Sequence, residues 1–319
     1  MNETITLIDA YSQIYRGFYA IPLLSNSKGQ FTNAIFATAK FLMALDRNHY
    51  SPYGAMVFDK GRPLHRMKII PEYKAQRPPM PEELKSQLGS IRELVEAFGW
   101  RLVEKDGQEA DDIIAAIAVE FKGNQVRIVS ADKDIAQVID DRIKMLIPDR
   151  KGGGGFVLQG AEEVVVRFAV NPSQIVDYLS LIGDSSDNIP GIDGVGPKTA
   201  AKLIGQFGSI DNLLSNLSQI ENEKLRAKIA GSAEFLRKNK QIITLDLVLP
   251  DDFLKDLEYF RKKKPDIEKL RAIADDLDLK SIKTDLDRLA GGGEPAKPPP
   301  PPKVEKKKKD DMFTPDLFG

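Results

Sequence analysis

The chain of 319 residues has no cysteine, which excludes disulfides, thiolate metal sites and cysteine nucleophiles. Histidine is nearly absent, with His49 and His65 as the only two. No set of imidazoles can therefore build a zinc centre, and a metal would have to be held by oxygen ligands, which suit Mg²⁺ or Mn²⁺. No apolar run reaches membrane-spanning length, and the opening MNETITLIDA lacks a basic stretch followed by a long apolar one. A cytoplasmic protein without membrane association is expected.

Net charge is almost lacking as well, at −1 from 46 basic and 47 acidic side chains. The balance changes if nine of the acids belong to one metal pocket, as argued below. The remainder then carries 46 basic against 38 acidic groups, or +8, which suits a surface that binds phosphate.

What is present is a composition that is 42% hydrophobic, enough for one large core or two modest ones. Three short, apolar, β-branched segments each end in an aspartate: Ile5 to Asp9, Ala55 to Asp59 and Val126 to Asp132. Helical periodicity falls between them, over Phe31 to Leu45, Glu82 to Phe98 and Ala110 to Phe121, and a shorter helix is expected over Ile135 to Ile139. This alternation predicts an α/β domain over residues 1–171, with a mostly parallel sheet flanked by helices that binds its ligand at the carboxyl ends of the strands. Residues 172–290 read as a helical domain. The glycines within 151–155 have nothing to pack and read as a surface loop. Composition shifts again over 291–319, where Pro298 to Pro302 and Lys306 to Lys309 mark a linker that leads to a terminal peptide.

Each acid has an ordinary structural role open to it. Asp9, Asp59 and Asp132 could cap the helices that follow their strands, and Asp134 could cap the next one. Glu109 fits a capping box with Asp106. Asp111 and Asp112 would favour the positive end of a helix, and Asp184 and Asp187 could be solvated loop residues. Their coincidence is what points to metal. Nine acids gathered at neighbouring element ends would repel one another, and a pair of divalent cations removes that cost. Such a pair can also clamp a phosphodiester and activate water.

The run Pro190 to Leu203, PGIDGVGPKTAAKL, is a glycine-rich turn that enters a helix through Pro197. Gly191, Gly194 and Gly196 allow close approach to phosphate, the helix start offers free N–H groups, and Lys198 and Thr199 add a charge and a hydroxyl. This is a helix-hairpin-helix signature over about residues 188–204, which grips duplex backbone without reading bases and can hold a monovalent cation such as K⁺ on its carbonyls. A second basic stretch, Arg62 to Arg77, follows Asp59 directly and would stand over the metal pocket, or else be a solvated surface segment.

The segments IDAYSQIYR, FDKGR, EYKAQRPPMPEEL, QEADDIIAAIA, VSADKDIAQV and LSLIGDSSDNIPGIDGVGPKTA resemble the 5′ nuclease domain of bacterial DNA polymerase I and its viral and flap-endonuclease relatives, over about residues 4–290. The resemblance implies a PIN-like fold with a helix-hairpin-helix domain. It also implies two Mg²⁺ or Mn²⁺ ions, one served mainly by Asp9, Asp59, Glu109, Asp111 and Asp112 and the other by Asp132, Asp134, Asp184 and Asp187. Lys74 and Arg77 match basic residues of a helical arch, here about 66–98, that contact the scissile phosphate. Tyr15 matches an aromatic that stacks on the nucleotide near the cut, and Arg16 a phosphate contact beside it. The implied activity is 5′-3′ exonuclease and 5′ flap endonuclease action on DNA flaps, nicks and RNA-primed duplex, in primer removal and repair, by a monomer associated with the nucleoid. No polymerase region follows in the sequence, so a free-standing nuclease is expected.

Two other readings stay open on the residues alone. A compact metal-dependent RNase of the related fold would need the acids but neither arch nor hairpin. A non-catalytic DNA-junction binder would keep the hairpin and lose ligands. Asp316, Leu317 and Phe318 in the terminal peptide resemble the end of the peptides that dock bacterial replication and repair proteins on the sliding clamp, without the glutamine usual at the start of such peptides, and the alternative is that Leu317 and Phe318 fold back on the protein's own surface.

Overall fold

The computed structural model describes residues 3–148 and 155–290. Asp316, Leu317 and Phe318 and the first glycines of the 151–155 run lie outside the described residues.

β1 (Thr4–Asp9) leads into α1 (Ala10–Ala20), whose first turn is capped by the Asp9 carboxylate accepting from the Ser12 amide. α2 (Asn33–His49), β2 (Tyr53–Phe58), α3 (Leu64–Ile69), α4 (Glu82–Lys85), α5 (Leu88–Ala97), β3 (Arg101–Glu104), α6 (Ala110–Glu120), β4 (Gln125–Val129), β5 (Ile143–Pro148), β6 (Phe156–Gln159) and α7 (Ala161–Phe168) follow. The sheet order is β3-β2-β1-β4-β5-β6, parallel throughout except for the antiparallel edge strand β6. From β1 the chain builds outward to β3 on one side, then returns to build β4 to β6 on the other. The strand order therefore reverses between β1 and β4, which opens a crevice at their carboxyl ends.

Alternation along the strands sorts side chains between two helical layers. Ile5, Leu7, Ala55, Val57, Val126 and Ile128 face α6, while Ile8, Met56, Phe58 and Val129 face α1, α2 and α5. Both faces are covered, which is why the strands read as continuous apolar runs. β4 stops at Val129, short of the expected Asp132, because Ser130 turns its hydroxyl to Asp9 and to the Asp132 amide. The helix expected over Glu82 to Phe98 is broken at Ser86 and Gln87. There the Gln87 amide oxygen turns inward and accepts from the Ala34 and Ile35 amides, satisfying the start of α2. The short helix expected after Asp134 is a 3-10 turn, Asp134–Val138.

The second half is helical: α8 (Ile175–Ile182), α9 (Pro197–Phe207), α10 (Ile210–Ser215), α11 (Glu223–Gly231) and α12 (Ala233–Ile243). Gly183, at φ +77°, and Gly191 let the two arms of the loop between α8 and α9 cross in contact, since a Cβ on either would strike the backbone of the other arm. Helical pattern continues to residue 290 as expected, but α13 (Ile267–Asp276) and α14 (Lys280–Ala290) leave the helical domain and pack on the α2 and α5 face. Leu270, Ala274, Ile282 and Leu286 share one apolar cluster with Ile8, Leu42 and Ile91. A strap, residues 261–266, carries the chain across. Arg261 bridges Tyr53, and the Lys262, Lys263 and Asp266 amides donate to the carbonyls of Pro52, Gly99 and Ala97 at 2.9, 3.0 and 2.8 Å. The buried Lys262 ammonium pairs with Asp46 and lies 4.0 Å from the centre of the Trp100 ring.

Candidate metal centre and nucleic-acid interface

Glu109, Asp111 and Asp112 stand at the start of α6, with one carboxylate oxygen from each within 4.8 Å of the others. Asp59, just past β2, accepts from the Ala110 amide at 2.9 Å and so holds this helix start against the strand end. Glu109 and Asp112 are buried against Arg66 of α3, only 2% exposed, which grips Asp112 with two nitrogens at 2.6 and 2.7 Å and also contacts Glu109. Asp112 further accepts from the Asp246 amide at 2.8 Å. Burial, with Glu109 and Asp112 as neighbours, pushes the Asp111 carboxyl well above the usual range.

A second group joins Asp134 to Asp184 and Asp187, again within 4.8 Å. All three are buried. Asp184 accepts from the Ser186 amide and hydroxyl at 2.9 and 2.7 Å and pairs with Lys133 at 3.1 Å. Asp187 accepts from the Tyr73 hydroxyl at 3.0 Å and pairs with Arg77. Burial raises the Asp187 carboxyl, but Lys74 and Arg77 outweigh it and hold the group below its usual range. Asp134 differs, since its Oδ1 is buried with no hydrogen-bond partner among the described residues. Burial and the charges of Asp132, Asp187 and Asp184 push its carboxyl well up. A buried carboxylate oxygen without a partner, on a residue grouped with two further carboxylates, suits a divalent cation, and the all-oxygen donor set suits Mg²⁺ or Mn²⁺.

Asp132 adjoins the second group, and Asp9 neighbours both Asp132 and Asp59. The Asp9 carboxyl is pushed up to about 7 by burial and by Asp59, with Asp132 adding to the effect. Asp132 is raised by burial and by Asp187, while its Oδ1 accepts from the Asp134 amide at 2.9 Å. Three acids thus gather at each pole, with Asp9 and Asp59 at the ends of β1 and β2 and Asp132 in the turn after β4.

The basic stretch after β2 folds over this crevice. The Lys74 amide donates to the Asp187 carbonyl at 3.1 Å, and its ammonium contacts Glu109 and lies 3.6 Å from Asp187, so one cation stands between the two groups. Arg77 reaches Asp187 and the Ser186 carbonyl. Tyr15, on α1, is half-buried with ring centroids 6.3 Å from Tyr11 and Tyr19, and Arg16 is exposed beside it.

The loop that carries Asp184 and Asp187 runs straight into the hairpin. Gly194 sits at φ +81°, Gly196 is the N-cap of α9, and Pro197, Lys198 and Thr199 form the helix's first turn. The Lys198 and Thr199 amides there have no carbonyl one turn back to bond within the helix, and Lys198 is exposed. Lys228 of α11 pairs with Asp193 at 2.6 Å and steadies the tip.

Arg66, Tyr73 and Lys133 also stand among the acids, although sequence reasoning singled out none of them for a role. Arg66 marked only the start of the expected arch, within the basic stretch. The sole signal was its setting beside Met67, Ile69 and Ile70, apolar neighbours unusual for a solvated segment.

Family models for the 5′-3′ exonuclease N-terminal resolvase-like domain and C-terminal SAM fold match residues 4–168 and 170–268. The chain belongs to the 5′-3′ exonuclease family. A 5′-3′ exonuclease of Aquifex aeolicus is 37% identical over 289 residues, covering 90% of this chain and 96% of the relative. A thermostable DNA polymerase I of Thermus thermophilus is 36% identical over 87% of this chain, which spans 32% of that relative's length. Among solved structures, a bacteriophage T5 flap endonuclease complexed with DNA and metal ions aligns at TM-score 0.63 and 19% identity, over 90% of this chain and 99% of that one. The catalytic core of Rad2 with a DNA substrate aligns at TM-score 0.59 and 16% identity, over 86% and 87%. Both share the fold, and the chain is a nuclease by family.

Proposed function

We propose that this nuclease hydrolyses phosphodiesters at 5′ flaps, nicks and RNA-primed ends of duplex DNA, as a 5′-3′ exonuclease and flap endonuclease in primer removal and repair. The observation that carries the reading is the pair of three-carboxylate groups at the carboxyl ends of a parallel sheet, with the Lys74 cation between them and an orphaned Asp134 oxygen in one. Glu109, Asp111 and Asp112, with Asp9 and Asp59, would hold one Mg²⁺ or Mn²⁺, and Asp132, Asp134, Asp184 and Asp187 the other. When bound, such a pair supplies an activated water and neutralises charge on the leaving oxygen.

The protein's own groups do the positioning. Lys74 and Arg77 place positive charge where the scissile phosphate would enter and stabilise charge that grows on its oxygens. Tyr15 offers a ring on which the nucleotide beside the cut can stack, and Arg16 a phosphate contact. Gly191, Gly194, Gly196, Lys198 and Thr199 hold the duplex by its backbone, with K⁺ on the hairpin carbonyls as an added contact. A compact RNase needs neither the hairpin nor the basic stretch, and a non-catalytic binder needs no orphaned carboxylate.

Flap, nicked, gapped, RNA-primed and single-stranded substrates, end-labelled and compared with Mg²⁺, test the reading. Cutting at the junction of flap and nick should dominate, and equal cutting of single-stranded RNA and flap DNA overturns it. Asp316, Leu317 and Phe318 are the proposed dock for a sliding clamp, which would raise local concentration at nicks. Deleting residues 308–319 should leave cutting of free oligonucleotides unchanged and abolish stimulation by the clamp.

A further inference from the structure

The two acidic groups sit on different elements, one on α6 and the other on the Asp134 turn and the loop after α8, yet two ions that share a phosphate need a fixed spacing of about 4 Å. The sheet alone does not set it, because Asp134, Asp184 and Asp187 all lie beyond regular strands.

The end of α12 touches every part. Toward the first group, the Ile242 carbonyl accepts from Arg66 Nε at 2.9 Å, the same guanidinium that grips Glu109 and Asp112, and the Asp246 amide donates to Asp112 at 2.8 Å. Toward the second, the Gln137 amide nitrogen donates both to the Asp134 carbonyl at 2.9 Å and to the Ile243 carbonyl at 3.1 Å, while its oxygen accepts from the Leu245 amide at 3.0 Å. One turn earlier Asn239, fully buried, donates to the carbonyls of Ser180 and Pro190 at 3.1 and 2.8 Å. Those carbonyls flank the loop that bears Asp184 and Asp187, so Asn239 staples its neck.

We infer that the end of α12 and the turn after it, residues 239–246, form a brace that fixes the second acidic group relative to the first, with Gln137 as the positioning residue that ties Asp134 to it. Gln137 touches neither metal nor substrate. It acts through the Asp134 backbone, as outer partners of metal ligands do. The inference rests on the two-ion reading above.

Gln137 is only half-buried, and Gln137→Met and Gln137→Glu keep its length while removing the amide donor. Mn²⁺ binding by calorimetry, together with the electron paramagnetic resonance of a coupled Mn²⁺ pair, reads both sites without DNA or turnover. Both variants should bind the first ion as the parent does, bind the second about tenfold or more weakly, and lose the coupled signal at concentrations where the parent shows it. Parent-like binding of the second ion in either variant overturns the brace. So does equal weakening of both ions with a lowered melting temperature, which marks a merely structural residue. A parent chain that binds a single Mn²⁺ removes the two-ion reading, and the brace with it.

Discussion

Lys74 holds a left-handed backbone, φ +55°, which costs a non-glycine residue about 1 kcal/mol and is pinned by its amide bond to the Asp187 carbonyl. Strain held between two acidic groups directs its ammonium into the crevice. Lys74→Ala is expected to slow single-turnover cutting roughly a hundredfold while barely weakening substrate binding, since the charge acts on the transition state. An unchanged rate at saturating enzyme would remove Lys74 from the chemistry. Asp184→Ala should cut the rate by about a hundredfold or more while DNA binding holds or tightens, because it removes a ligand and also a charge that repels phosphate. Parallel loss of binding in a filter or anisotropy assay would contradict that role. Asp9 and Asp59 were legible in the sequence because they close apolar, β-branched runs that are strands β1 and β2. Arg66 was not, because its burial is decided by carboxylates 43 and 46 residues away, and an arginine in a basic stretch looks solvated.

Among the elements, β1, β2 and β4 showed through as apolar, β-branched runs, whereas β3 and β6, four residues each, are too short to carry a period of two. The break between α4 and α5 was hidden as well, since Gln87 serves the start of a distant helix. The turn into α9 was legible, because Gly194, at φ +81°, and Pro197, which opens the helix, act locally. Lys198→Ala should weaken duplex binding and lower the slope of log affinity against log salt by about one, as measured by anisotropy titrations at several salt concentrations. An unaltered slope would mean that Lys198 meets no phosphate. The strap invites a different substitution. Lys262→Met leaves Asp46 without its cation and should cost about 2–3 kcal/mol by denaturant unfolding, with metal binding intact.

Across the whole molecule, the buried acids make the metal-free fold work against its own charge. Mn²⁺ should therefore raise the melting temperature and chelation lower it again, with about 2.7 kcal/mol of stabilisation at a hundred times the dissociation constant. A melting temperature indifferent to Mn²⁺ would argue against occupied sites. The return of α13 and α14 to the α/β layer was not legible, because their amphipathic pattern says that they bury a face but not against what. The strap that brings them back has one more effect. β3 pairs with β2 only from Ala55 onward, and Arg261 occupies the place beside Tyr53 that β3 leaves open. At the opposite margin β6 is four residues long. Among the described residues, neither border offers a long row of unpaired amides and carbonyls on which another chain could add a strand. Loosening the strap frees the edge of β2 at Tyr53 and the apolar faces of α13 and α14 that follow it, so the Lys262→Met protein should form aggregates on warming before its core melts, and light scattering should rise ahead of the loss of circular dichroism.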